Sequence, residues 1–285
     1  MWYDFYMERL NPLDDYIFLK VMGETGDEEQ CLAFLNAVLG SKSKKPVTII
    51  KILESKTFTA EVTGDKMNIL DVRVETDTGE KVNIEVQLKN FHNIERRTLF
   101  HWGREFTRGI SEGDDYKELP KVITINIVNF DNIKLDEFHT CFHLWEDDHH
   151  DYILTDVLEI HFINMVKFRK LISKDIINKP LERWLTFFDE KTPEEKIQEV
   201  IKMDGAINKA YERLNFVSQD KEVLRAYHMR QMALSDWTTG INTAKENGAM
   251  EKQLEIAKNL LNKGLSVELI QETTGLDRET IQSLQ

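Results

Sequence analysis

Val82, Ile84, Val86 and Leu88 alternate with Asn83, Glu85, Gln87 and Lys89. A period of two marks a strand with one apolar face for a core and one polar face left open. Upstream, Met67 to Val74 reads as a partner strand, with Asp71 on the face of Ile69 and Arg73 and opposite Leu70, Val72 and Val74. Thr78-Gly79 lies between the two runs, so together they predict an antiparallel hairpin.

Parity decides whether Asp71 and Glu85 meet, because residues paired across an antiparallel ladder share a face. A two-residue loop would pair Asp71 with Val86 and turn Glu85 away. A three-residue loop, Asp77-Thr78-Gly79, pairs Asp71 with Glu85 and needs a residue at positive φ at its end, which Gly79 supplies. Two carboxylates at that separation are unfavourable unless a cation or a proton compensates. A hard divalent cation with oxygen ligands is the usual solution. The plain alternative is a solvated polar face on an ordinary hairpin.

The chain has 285 residues, enough for one or two domains with a large core. It holds 37 Lys+Arg against 50 Asp+Glu, a net charge of −13, which does not suggest a general nucleic-acid binder. Cys31 and Cys141 are too few for a disulfide framework, so a reducing cytoplasm is expected. No apolar run approaches the ~18 residues of a membrane span, and the N-terminus lacks the charge pattern of a signal peptide.

In chain order, Asn11-Pro12 reads as an N-cap and first helical position before a helix over residues 13–22 that ends near Gly23. Asp27 caps a second helix, with Leu32, Leu35, Val38 and Leu39 on its buried face. Lys42, Lys44 and Lys45 form a basic loop, and Val47 to Leu53 a strand. The hairpin follows, then a helix over about 94–110 and a β-branched strand, Val122 to Val128. This order predicts an α/β core with a β-α-β crossover. Phe138 to Trp145 and Tyr152 to Phe162 read as two further strands around an acidic, His-containing loop. After Pro180 the pattern is helical, with Gly240, Gly248, Gly264 and Gly275 as breaks. The expected division is 1–180 for the α/β domain and 181–285 for the helical region. Met250, Leu254, Ala257 and Leu261 form a stripe, and Ser266 and Asp277 cap two short helices around Thr274-Gly275-Leu276. That tail resembles a helix-turn-helix unit; its acidic residues favour protein docking or dimerisation over DNA reading.

On the helix after the hairpin, Arg97, His101, Arg104 and Arg108 share one stripe, and Leu99, Trp102, Phe106 and Ile110 the opposite one. The apolar stripe is expected on the sheet and the basic one free for phosphates. For Arg104 and Arg108 the alternative of pairing with neighbouring acids is favoured. Arg97 is the better phosphate ligand.

Asp71, a hairpin, Glu85-x-Gln87, then a helix and a parallel strand resemble the PD-(D/E)xK nuclease fold, in its Rpn (recombination-promoting nuclease / putative transposase) branch. The resemblance also rests on Asn11-Pro12-Leu13 with Asp15-Tyr16-Ile17-Phe18, on Leu70-Asp71-Val72, and on Arg97 with Phe100-His101-Trp102. Gly113-Asp114-Asp115-Tyr116, Leu119-Pro120 and the tail from Ile270 to Ile281 extend it over most of the chain. It implies a restriction-endonuclease-like mixed sheet flanked by helices, followed by an all-helical C-terminal region. It implies a metal-dependent DNA endonuclease in which Asp71 and Glu85 hold Mg²⁺ (or Mn²⁺) with the Val86 carbonyl as third ligand. Gln87 stands where the wider superfamily has a catalytic lysine, and can hydrogen-bond water without supplying charge. Lys89 could supply that cation or simply be solvated. Asp15 could add a carboxylate or only stabilise a helix N-terminus. The family often has tyrosine where His101 stands.

His139, Cys141 and His143 share one strand face that could bind Zn²⁺, with His149 and His150 in the next loop. Their spacing is not the tight, turn-based one of short zinc motifs, so a zinc site is disfavoured and the acidic loop is expected to be solvated. Two functional classes follow: the endonuclease, acting in recombination, mobile elements or phage defence, and a catalytically weak module that binds DNA or protein through its C-terminal helices. Double-strand cleavage would call for a homodimer.

Overall fold

Val122-Ile-Thr-Ile-Asn-Ile-Val128 is buried along its whole length, as expected of a parallel strand covered on both faces. It is the centre of a six-stranded mixed sheet in the computed structural model, which describes residues 9–40, 46–53 and 71–284. The strands are β1 (Ile50–Leu53), β2 (Asp71–Thr76), β3 (Lys81–Gln87), β4 (Val122–Val128), β5 (His139–Trp145) and β6 (Ile153–Asn164), in the order β1-β2-β3-β4-β6-β5. β1, β2 and β3 pair antiparallel, β3-β4 and β4-β6 pair parallel, and β5 closes the far edge antiparallel to β6. The crossover from β3 to β4 runs through α3 (Ile94–Phe106), and β6 leads into the short α4 (Met165–Arg169).

The hairpin adopts the three-residue loop. Asp71 pairs with Glu85 and Glu75 with Lys81. Thr76 O accepts from Gly79 N–H at 3.0 Å, Thr76 N–H donates to Glu80 O at 3.0 Å, and Gly79 takes φ +83°. A side chain at Gly79 would be strained in that left-handed conformation. The Met67–Leu70 part of the first run and the Lys42, Lys44 and Lys45 loop lie outside the described residues.

Over β2, β3 and β4 one face of the sheet is apolar. Val72, Val74, Val82, Ile84, Val86, Ile123, Ile125 and Ile127 are all buried there, under α1 (Asp15–Met22), α2 (Glu29–Leu39), α5 (Pro180–Phe188), α6 (Glu194–Met203) and α7 (Gly205–Val217), which pack on one another with α1 touching β2 and β3. Phe18, Phe34, Trp184 and Phe188 form an edge-to-face and tilted cluster, with ring centroids 5.3 to 5.7 Å apart for Phe18–Phe188, Phe34–Trp184, Phe34–Phe188 and Trp184–Phe188. Trp184 is 1 % exposed. Trp184→Ala is therefore expected to cost about 3–5 kcal/mol, read from the shift in the urea unfolding midpoint.

Several local expectations are corrected. The N-cap of α1 is Asp14, whose carboxylate accepts from Tyr16 N–H and Ile17 N–H, while Asn11 instead accepts from Leu13 N–H. α2 has Glu28 at its N-cap without a side-chain bond, because Asp27 is drawn to Lys209 at 2.8 Å. The first strand begins at Ile50 rather than Val47.

Gly240 and Gly248 do not break the chain: α8 runs unbroken over Lys221–Asn262. Gly264 and Gly275 do end helices, at φ +77° and +75°. α9 (Val267–Thr274) is capped by Ser266 and α10 (Arg278–Gln282) by Asp277, as the sequence predicts. Ala257, Ile270, Leu276 and Ile281 are their shared core. The chain divides into two compact units, one up to Leu224 and one from Arg225, with α5 to α7 inside the first. No helix among the described residues is long and apolar enough to cross a membrane.

Candidate active site

The other face of the sheet, beneath α3, is polar where β2, β3 and β4 meet. Asp71, Arg73, Asn83, Glu85, Gln87, Thr124 and Asn126 share it by strand parity. Asn83, Glu85, Gln87, Thr124 and Asn126 are each 3 % exposed or less. Burying so many polar groups is costly unless each finds a partner. α3 supplies several. Arg97 Nε donates to Glu85 Oε1 at 2.5 Å, and His101 Nε2 lies 4.0 Å from Glu85 Oε2. Glu105 takes Arg73 at 2.8 Å, and Thr98 Oγ1 accepts from Asn126 Nδ2 at 2.9 Å.

This reverses the expected seating of α3. Its buried residues are Ile94, Thr98 and Glu105, and Leu99 is 51 % exposed. Trp102 reaches the apolar end of the same sheet face, around Val128, Leu158, Ile160 and Phe162. Arg97 and His101 are half-buried against Glu85 rather than free. Arg108 pairs with Glu105 at 2.9 Å and Arg104 is exposed. An amphipathic reading assumes an apolar sheet; here Arg73 and Asn126 make polar α3 residues the better fit.

Asp71 opens β2 directly opposite Glu85. Burial pushes its carboxyl above the usual carboxylate range; His101 and Arg73 pull it down, while Glu85 and Glu105 push it up. Gln87 ends β3 and donates from Nε2 to Lys89 O at 2.9 Å. Its Oε1, both polar atoms of Asn83 and Thr124 Oγ1 are buried without a hydrogen-bond partner among the described residues. Orphaned buried acceptors of this kind are rare and mark places where another group binds. The two carboxylates suit a hard cation such as Mg²⁺, and the amide oxygen suits a water beside it.

Val86 is buried with its side chain on the apolar face. Lys89 lies two residues beyond the end of β3, so it does not continue the polar strand face. Asp15 sits in the first turn of α1 and accepts from Tyr16 N–H at 2.8 Å. Asn83, Thr124 and Asn126 went unmarked in the sequence; for Asn83 the signal was its parity with Glu85 and Gln87.

Residues 12–244 match the family model described as PD-(D/E)XK nuclease family transposase. The chain belongs to that family. Residues 250–285 match the Rpn/YhgA-like nuclease family, C-terminal HTH domain, which coincides with the end of α8, α9 and α10. Comparison with curated proteins and with solved structures finds no match. Membership in the PD-(D/E)XK family carries a nuclease-like, transposase-associated role.

Proposed function

We propose that this chain is a Mg²⁺-dependent endonuclease that hydrolyses DNA phosphodiester bonds, with Mn²⁺ as a substitute ion. The observation that carries the reading is the direct pairing of Asp71 with Glu85, next to the orphaned Gln87 Oε1. A bound divalent ion would lower the pKa of its water and stabilise charge on phosphorus. Asp71 and Glu85 would hold it, with the Val86 carbonyl as third ligand. Gln87 Oε1 would accept a hydrogen bond from the attacking water and so orient it. Arg97 and His101 border the same carboxylate and would face the scissile phosphate. These local cations would offset a chain whose net charge is −13. Residues 1–180 would carry the chemistry. Residues 181–285, with the helix-turn-helix, would contact DNA or a protein partner.

The setting would be the cytoplasm, in recombination, transposition or phage defence, and a homodimer would serve double-strand cleavage. The test is relaxation of supercoiled plasmid. Cleavage with Mg²⁺ that stops in EDTA is expected, and cleavage indifferent to EDTA would sink the reading. A second reading, a catalytically weak binding module, draws on Arg97 already occupying Glu85 and on Gln87 replacing lysine. Calorimetry separates the two, since that module would neither bind Mg²⁺ or Mn²⁺ nor cleave.

Gln87→Leu keeps the shape and removes the acceptor. Nicking is expected to fall about 10- to 100-fold, from the lost water contact. Stability should change little, because relief of a buried acceptor without a partner, worth about 1–3 kcal/mol, offsets the loss of the Nε2 bond to Lys89 O. Rate and melting temperature are measured on the same preparation.

A further inference from the structure

The opposite face of the sheet carries a second cluster that the reaction above does not use. Glu159 and His161 project from β6 on the side of Ile123 and Ile125, their neighbours on β4. Cys141 pairs with His161 across β5 and β6. The same register, through Phe142 and Ile160, carries His143 to Glu159 before the pairing slips ahead of Leu144. His161 is 0 % exposed and Glu159 is 8 % exposed.

We propose that Cys141, His143, Glu159 and His161 form a binding site for a borderline-soft divalent metal of the zinc class. One ligand atom each from Cys141, Glu159 and His161 all lie within 4.8 Å of one another. Cys141 Sγ is 3.7 Å from His161 Nε2, and His161 Nε2 is 2.7 Å from Glu159 Oε1. Donor atoms on a tetrahedral zinc, with bonds of about 2.0–2.3 Å, sit about 3.3–3.8 Å apart. The thiol and imidazole are already at that spacing. The imidazole and carboxylate are closer because a proton bridges them, and the metal takes the place of that proton. His143 approaches the same groups, with Nδ1 3.9 Å from Cys141 Sγ and Nε2 3.7 Å from Glu159 Oε2. It supplies the fourth ligand.

Two neighbours orient the ligands. His139 Nε2 lies 2.9 Å from His161 Nδ1, which fixes the ring and presents Nε2 to the metal. Such outer contacts commonly tune metal sites. Lys121 Nζ holds Glu159 Oε2 at 2.6 Å and leaves Oε1 for the metal. A hydrogen-bonded chain of Lys121, Glu159, His161 and His139 needs neither Cys141 nor His143. Their convergence on it is what a metal explains. Thiolate and imidazole favour zinc over magnesium, so the site is chemically separate from the oxygen donors of Asp71 and Glu85. With protein ligands in all four positions it is a structural staple across the slipped β5–β6 pairing.

The full-length protein, stripped with chelator, is titrated with Co²⁺ and then Zn²⁺. One equivalent of Co²⁺ is expected to give thiolate-to-cobalt charge-transfer absorption in the near ultraviolet, bleached by Zn²⁺. Cys141→Ser should lose that band and Asp71→Ala should keep it. No thiolate band in the wild type, or a band that survives Cys141→Ser, would overturn the proposal. Should Cys141→Ser fail to fold, alkylation of the native wild type decides. Zn²⁺ is expected to slow modification of Cys141 at least about tenfold, with chelator restoring it. Equal rates with and without Zn²⁺ would overturn it. Cys31 is the internal control, since burial pushes its thiol up to about 12.

Discussion

Asp71→Ala is expected to lower Mg²⁺-dependent plasmid nicking by about 10³-fold or more while leaving the protein as stable as the wild type, or more so. The two halves of that result come from one geometry. Asp71 and Glu85 are direct partners across β2 and β3, and Asp71 is half-buried. An ion held between them would supply several kcal/mol of transition-state stabilisation, and each 1.36 kcal/mol is tenfold in rate, so losing one of two carboxylate ligands would remove about three powers of ten. In the absence of that ion the same carboxylate is a burden. It is desolvated and faces a second acid, and both effects raise its pKa. Alanine removes the repulsion. A polar residue kept only for a solvated hairpin face would behave otherwise, with little change in nicking. Nicking rates with Mg²⁺ and a chelator, beside melting curves in EDTA, separate these outcomes. Nicking by Asp71→Ala at the wild-type rate would remove the assignment of the site.

The hairpin was legible in the sequence because its chemistry is local. Gly79 can take positive φ, a three-residue loop sets the register, and the register puts Asp71 opposite Glu85. β4 was legible for a similar reason, since an unbroken β-branched run suits a strand covered on both faces. The tail's caps, Ser266, Gly275 and Asp277, were equally local. The seating of α3 is not legible in its own sequence, because it depends on what lies beneath the helix. Leu99, on the expected apolar stripe, is half-exposed, whereas Glu105, outside that stripe, is buried against Arg73. Gly240 and Gly248 looked like breaks, yet a glycine in a helix costs only about 1 kcal/mol, which a helix of 42 residues absorbs. Glu159 and His161 were passed over because they stand inside an apolar strand. Their two-residue spacing, which places both on one face, was the available signal.

The second large effect concerns Arg97. Glu85 is 2 % exposed, and its Oε1 is held by Arg97 Nε at 2.5 Å. Removing one member of a buried ion pair leaves the other charge uncompensated, at a cost of about 3–5 kcal/mol when both are fully buried. Arg97 keeps 24 % of its side-chain surface, so water offsets part of that. Arg97→Ala is therefore expected to destabilise the protein by about 2–3 kcal/mol in EDTA, read from the urea midpoint. Adding Glu85→Gln to that variant removes the orphaned charge and should recover most of the loss. Saturating Mg²⁺ should recover part of it by another route, since a cation on Glu85 replaces the lost guanidinium and binding to the folded state stabilises it. The wild type should gain less from Mg²⁺, because there the ion competes with Arg97 for the same carboxylate. A variant that loses stability equally with and without Mg²⁺ would mean that Arg97 and the ion do not share Glu85, and the phosphate-facing role given to Arg97 would fall with it. If the rescue holds, Arg97 is the residue that keeps the acidic pair folded until the ion arrives, which explains why a basic side chain lies in a site built to bind a cation.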